Sequence, residues 1–225
     1  MNNRTIRFAR PFALLVLALA VAGVTAKADS FDVSLNTSSL SGTQVLAFSL
    51  INGGGGVTNT VTLSDFAFGG GGPEPPADYL GTSGVSGDLS GTINMNDSVS
   101  LYGGTGLFVE QFDPGSSLSF LMNTTNNSAG TTPDAFSMAI CNTSFSVCYS
   151  DDTGTGALLV LGLTGTPLSP SSFTLNAATA QGLLAPVVTE ATSSAAPEPS
   201  SVLLLALGVL AVGACSRRKR TAAML

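Results

Sequence analysis

No lysine, arginine or histidine occurs between Lys27 and Arg217. All eight cationic residues sit towards the ends: Arg4, Arg7, Arg10 and Lys27 on one side, Arg217, Arg218, Lys219 and Arg220 on the other. All fourteen Asp and Glu fall inside this cation-free stretch, thirteen of them between Asp29 and Ala196. A domain without cations cannot neutralise phosphates, which excludes nucleic-acid binding. It repels anionic lipid head groups and acidic polysaccharides unless a metal ion bridges them. Salt bridges within it are impossible, leaving burial, hydrogen bonds and bound ions to stabilise it. Most of its carboxylates read simply as a solubilising acidic surface.

Other absences narrow the chemistry. Ser, Cys and Thr nucleophiles need an activating base, commonly His or Lys, and the central region has neither. A glycosidase needs two placed carboxylates, and nothing in the sequence singles out such a pair. No enzyme is expected. Tryptophan is missing altogether, and the only tyrosines are Tyr79, Tyr102 and Tyr149. Sugar platforms stack their ligand on exposed aromatic faces, so a strong one is excluded. A weak or calcium-assisted glycan-binding module remains as the alternative.

Cysteine is nearly absent too, with three in all. Cys141 and Cys148 bracket the turn Asn142–Val147. In an oxidising compartment such an isolated pair forms a disulfide. Zinc is the competing reading, but it needs two further ligands and there is no histidine. Closing so short a loop removes about 2 kcal/mol of unfolded-state freedom, which makes it a local clamp. Cys215 lies in an apolar run and reads as a small filler.

No cofactor is required by these residues, and calcium is the one ion they could take, through carboxylate and carbonyl oxygens. Its best candidates are Asp151 and Asp152, followed by Thr153-Gly154-Thr155-Gly156. Asp113-Pro114-Gly115 and Asp97-Ser98 are weaker ones. The competing reading is an acidic turn without a ligand.

What is present is a β pattern. Phe31, Val33 and Leu35 alternate with polar neighbours, as do Val61 and Leu63, and Val99 and Leu101. Leu118, Phe120 and Met122 repeat the pattern, and so do Phe136, Met138 and Ile140. A period of two marks half-buried strands. Val45–Leu50, Leu107–Phe112 and Ala157–Leu161 are denser and read as buried on both faces. Turn-rich segments separate these runs, and no long amphipathic helix intervenes. The expectation is an all-β, antiparallel sandwich of jelly-roll type. Gly53–Gly56 and Gly69–Gly72 read as flexible hairpin loops, since no phosphate-binding Gly-Lys-Ser/Thr ending follows. Pro73-Glu74-Pro75-Pro76 reads as a stiff surface connection.

The ends carry targeting patterns. Residues 1–28 combine three arginines, an apolar run from Phe12 to Val24 and the small-x-small triplet Ala26-Lys27-Ala28, the parts of a signal peptide. The sandwich is assigned to 29–175, and an Ala/Thr-rich spacer to 176–196. Pro197-Glu198-Pro199 then precedes an apolar run from Val202 to Cys215 of about 14 residues, near the short limit for a membrane helix, where ~20 are usual. Arg217, Arg218, Lys219 and Arg220 stop it on the cytoplasmic side. Residues 221–225 form a cytoplasmic tail.

This order of Pro-Glu-Pro, apolar run and basic end over 197–220 resembles the PEP-CTERM sorting domain of Gram-negative bacteria that make exopolysaccharide. The exported region is similar to short PEP-CTERM proteins, through Phe31–Thr43 and Pro133–Met138. The resemblance implies export with the help of signal peptidase, a transient stay in the inner membrane, and cleavage by the membrane protease exosortase. Pro197, Glu198 and Pro199 would be the recognised residues. The implied destination is the cell surface or an exopolysaccharide matrix such as a biofilm.

Overall fold

The computed structural model describes residues 28–54, 57–80, 84–97, 105–127 and 132–192. The expected signal peptide up to Lys27, the sorting segment 197–220 and the tail 221–225 lie outside the described residues, as does the Val99–Leu101 alternation. Among the described residues no helix is long and apolar enough to cross a membrane. Contacts divide the chain into two compact units, Met1–Glu190 and Ala191–Leu225. Of the second, only residues 191 and 192 are described.

The described part of the first unit is a sandwich of two six-stranded antiparallel sheets. The strands are β1 Ala28–Asn36, β2 Gln44–Ile51, β3 Thr60–Ala67, β4 Gly72–Leu80, β5 Val85–Ser86 and β6 Ile93–Asn96. They continue as β7 Thr105–Asp113, β8 Ser117–Thr125, β9 Asp134–Cys141, β10 Leu159–Leu163, β11 Phe173–Leu175 and β12 Val187–Glu190. One sheet runs β12-β1-β8-β3-β6-β5, the other β11-β10-β9-β2-β7-β4. Within these orders, β1-β8-β3-β6 and β2-β7-β4 form the alternating core of a jelly roll. The two-residue β5 departs from it by pairing with β6. Strands β9 to β11 extend one sheet beyond β2, and β12 extends the other beyond β1.

Register brings the alternating apolar sets together. Phe31, Val33 and Leu35 lie opposite Met122, Phe120 and Leu118, and all six are buried. Phe48 faces Phe108 on one side and Met138 on the other. Aromatic rings then join the sheets: Phe48 meets Phe120 edge-on at 5.5 Å, and Phe31 meets Phe173 at 4.9 Å. Such pairs add about 0.5–1.5 kcal/mol each beyond the area they bury. β2 is buried on both faces from Gln44 to Phe48, as its dense apolar run predicts, whereas Ser49 is half-buried and Ile51 exposed. Leu107 and Val109 on β7 are only half-buried, so the neighbouring dense run covers one face alone.

Two segments differ from their expected form. Pro73-Glu74-Pro75-Pro76 belongs to β4, which among the described residues pairs only with β7. Prolines are tolerated there because an edge strand leaves one row of amides without a ladder partner. The expected spacer 176–196 is also partly domain. Ala178, Leu183 and Val188 are buried in the core, and Val188 pairs with Val33 as β12 joins β1. These apolar residues are held by turns and a four-residue strand, which leave no periodicity to read.

The antiparallel registers sort the connections into two ends. The β1–β2, β3–β4, β7–β8 and β9–β10 connections share one. At the other, β1 starts, β12 stops, and the β2–β3, β6–β7 and β8–β9 connections meet.

Candidate functional site

Among the described residues, four of the seven buried polar ones, Asn59, Asp97, Thr124 and Asp134, gather at this second end. Asp97 follows β6, Asn59 precedes β3 and Asp134 opens β9; their exposures are 3%, 0% and 3%. Asn59 joins the three. Its backbone N–H donates to Asp97 Oδ1 at 2.8 Å, and its Nδ2 donates to Asp134 Oδ2 at 2.6 Å. Its Oδ1 accepts the Asn127 N–H at 2.7 Å, while Nδ2 also reaches the Asn127 carbonyl at 3.0 Å. The Gly53 N–H donates to Asp134 Oδ1 at 2.7 Å, and Asn52 Nδ2 to the Asp97 carbonyl at 2.9 Å. A Cβ on Gly53 would collide with the carbonyl oxygens of Thr132 and Pro133, so the first glycine tract contributes a close approach as well as a loop.

Asp97 Oδ2 is enclosed and has no hydrogen-bond donor. Its neighbour is the Asp134 carboxyl, and the two can bond only if one is protonated. Burial pushes Asp97 up to about 7, and the adjoining Asp134 acts in the same direction. Burial also pulls Asp134 upwards, but hydrogen bonds from Asp97, Gly53 and Asn59 outweigh it and hold Asp134 below its usual value. Asp97, read from the sequence with Ser98 as a weak calcium turn, is buried.

A third buried acid lies between the sheets. Glu110 on β7 is 2% exposed, accepts the Leu89 N–H at 2.8 Å through Oε2, and leaves Oε1 unpartnered. Burial raises its pKa, with the Leu89 hydrogen bond working against that shift. The sequence analysis did not single out Glu110, Asn59 or Asp134. A signal was there for the acids, since each continues an inward alternation: Ile93-x-Met95-x-Asp97, Phe108-x-Glu110-x-Phe112 and Asp134-x-Phe136. Asn59 carries no such mark.

The proposed calcium residues are turned to separate partners. Asp151 Oδ1 accepts the N–H and hydroxyl of Thr179 at 3.0 and 3.1 Å. Asp152 accepts the Gly154 N–H at 2.9 Å and the Thr155 hydroxyl at 2.7 Å. Those bonds, the Thr155 one first, hold its pKa below the ordinary value. Asp113 accepts the Thr43 hydroxyl at 2.8 Å. Among the described residues no three acidic, cysteine or histidine side chains are grouped to hold a metal.

Cys141 and Cys148 form the disulfide. The Asn142 N–H to Val147 carbonyl bond and the Tyr149 N–H to Ile140 carbonyl bond flank it. That places the cysteines in a non-hydrogen-bonded antiparallel pair, the closer of the two kinds, here with Cα atoms 3.9 Å apart. Asn142 Oδ1 organises the enclosed loop by accepting the N–H groups of Ser146 and Val147.

The sorting residues lie outside the described structure, and comparison with known families bears on them directly. The family model described as the PEP-CTERM protein-sorting motif matches residues 195–219. The chain carries a PEP-CTERM sorting motif. The matched span takes in Pro197, Glu198, Pro199, the apolar run and the basic residues Arg217, Arg218 and Lys219; Arg220 follows it directly. No curated protein and no solved structure matches the chain. The PEP-CTERM motif implies an exported, exosortase-processed protein bound for the cell surface.

Proposed function

We propose that the chain is a non-enzymatic protein of the cell surface or extracellular matrix, associated with exopolysaccharide. In this reading signal peptidase removes the leader, the inner membrane holds the apolar run transiently, and exosortase cuts near Pro197-Glu198-Pro199. The observation that carries it is the sorting motif at 195–219 attached to a domain without any Lys, Arg or His. The prolines keep the recognised segment extended, and the Glu198 carboxylate offers the protease a polar contact. Fractionation of cells with and without exosortase tests the reading, together with Glu198→Ala. A larger, membrane-retained precursor is expected in the mutant cells and for the variant. Mature protein of unchanged size and location would remove the proposal.

A second reading, a weak or calcium-assisted glycan-binding module, draws on one feature. A groove of about 420 Å³ on the outer face of β3 and β6 is lined by Thr60, Thr62, Ser86, Asn94 and Asn96, neutral groups that match sugar hydroxyls. Glycan arrays with and without chelator separate it from the scaffold reading. Blank arrays in both conditions leave the scaffold alone. A carboxylate-dependent hydrolase is less favoured, because the close pair Asp97 and Asp134 is enclosed away from substrate.

A further inference from the structure

Buried carboxylates in most proteins lean on an Arg, Lys or His. None exists in this chain between Lys27 and Arg217, so an enclosed acid here must be met by hydrogen-bond donors, a proton or a foreign cation. The start of β9 and the end of β6 bring two such acids together: Asn59 bonds to both, and Asp97 Oδ2, enclosed beside the Asp134 carboxyl, lacks any donor. The remaining oxygens are already served. Asp97 Oδ1 accepts the Asn59 N–H, and Asp134 accepts the Gly53 N–H and Asn59 Nδ2.

Calcium takes about six to eight oxygens, and no metal-holding group of acids occurs among the described residues. A proton needs only two oxygens. The β2–β3 connection faces the pair with Asn52, Gly53 and Asn59, and the residue after β8 that reaches it is Asn127. None of these titrates.

We propose that Asp97 and Asp134 hold one proton between them, and that this proton is a pH-sensitive latch closing the end of the sandwich where β1 starts and β12 stops. The latch ties the β2–β3 connection to β6 and β9 through Asn59 and Gly53. Losing the proton leaves two enclosed carboxylates facing each other with no cation to separate them. Rising pH loosens the ties from Asn59 and Gly53 to the two acids, and falling pH restores them. The inference does not depend on the sorting reading.

The test follows the carboxyl carbons of Asp97 and Asp134 by NMR in the isotope-labelled, full-length chain in detergent, with amide exchange at Gly53 and Asn59. One proton should leave the pair near neutrality, and exchange, corrected for intrinsic base catalysis, should rise at least about tenfold across that step. Asp97→Asn keeps the acceptor for the Asn59 N–H and gives Asp134 a permanent donor, so its amides should stay protected throughout. If that variant fails to fold, the wild-type carbon shifts still decide. Both acids titrating in the ordinary carboxylate range would overturn the latch. So would a profile that moves with added calcium or chelator, which would put a metal where the proton is assigned.

Discussion

Asn59 and Asp134 are 75 residues apart in the chain and 2.6 Å apart in space, with Asn59 Nδ2 donating to Asp134 Oδ2. The same asparagine holds Asp97 through its backbone and Asn127 through its side-chain oxygen. One neutral side chain thus takes the organising role that an arginine or lysine has around buried acids elsewhere.

Asn59→Ala removes the donor to Asp134 and the acceptor for Asn127 while leaving the backbone bond to Asp97. A buried carboxylate oxygen and a backbone N–H lose partners, so the variant should be less stable by about 3 kcal/mol in urea denaturation. A loss under about 1 kcal/mol would show that water or a neighbour replaces Asn59 without cost.

Glu110→Gln tests the buried acid on β7. The folded-state pKa of Glu110 is raised, so its stabilising share is complete below the ordinary glutamate value. It is lost as pH rises through the raised folded value. The substituted amide cannot ionise and still accepts the Leu89 N–H. The urea midpoints of wild type and variant should converge in acid, with the variant ahead in mildly alkaline solution. A variant that is less stable at every pH would mean that the ionised form is the one the fold accommodates.

Reduction of Cys141–Cys148 should lower stability by about 1–3 kcal/mol without unfolding the domain, because the loop it closes is short. Alkylation of the denatured, non-reduced full-length chain checks the pairing directly. One reactive thiol, from Cys215, is expected. Three would show that the bond is absent.

Gly71 and Gly72 are neighbours with opposite tolerance. A Cβ on Gly71 would collide with the Asp113 carbonyl where the β3–β4 and β7–β8 connections cross, whereas one on Gly72 meets nothing within 4 Å. Gly71→Ala should destabilise by about 1–3 kcal/mol, as forced overpacking does, and Gly72→Ala should be close to neutral. Equal effects in thermal melts would show that the crossing yields readily.

The sequence by itself determined the class and the address of this protein. Period-two alternation at Phe31–Leu35, Leu118–Met122 and Phe136–Ile140 marks strands because each follows from local geometry alone. The sorting motif and the spacing of Cys141 and Cys148 are likewise local signals, readable without a fold. Tertiary structure decided the rest. Which strands are neighbours depends on long-range pairing, so the jelly-roll order and the recruitment of Val188 beside Val33 appear only in three dimensions. The same holds for the acids. Alternation shows that Asp97, Glu110 and Asp134 point inward, but only the tertiary fold, with Asn59 bonded to both, brings Asp97 to Asp134. Their meeting matters because the chain between Lys27 and Arg217 offers no cation to divide them.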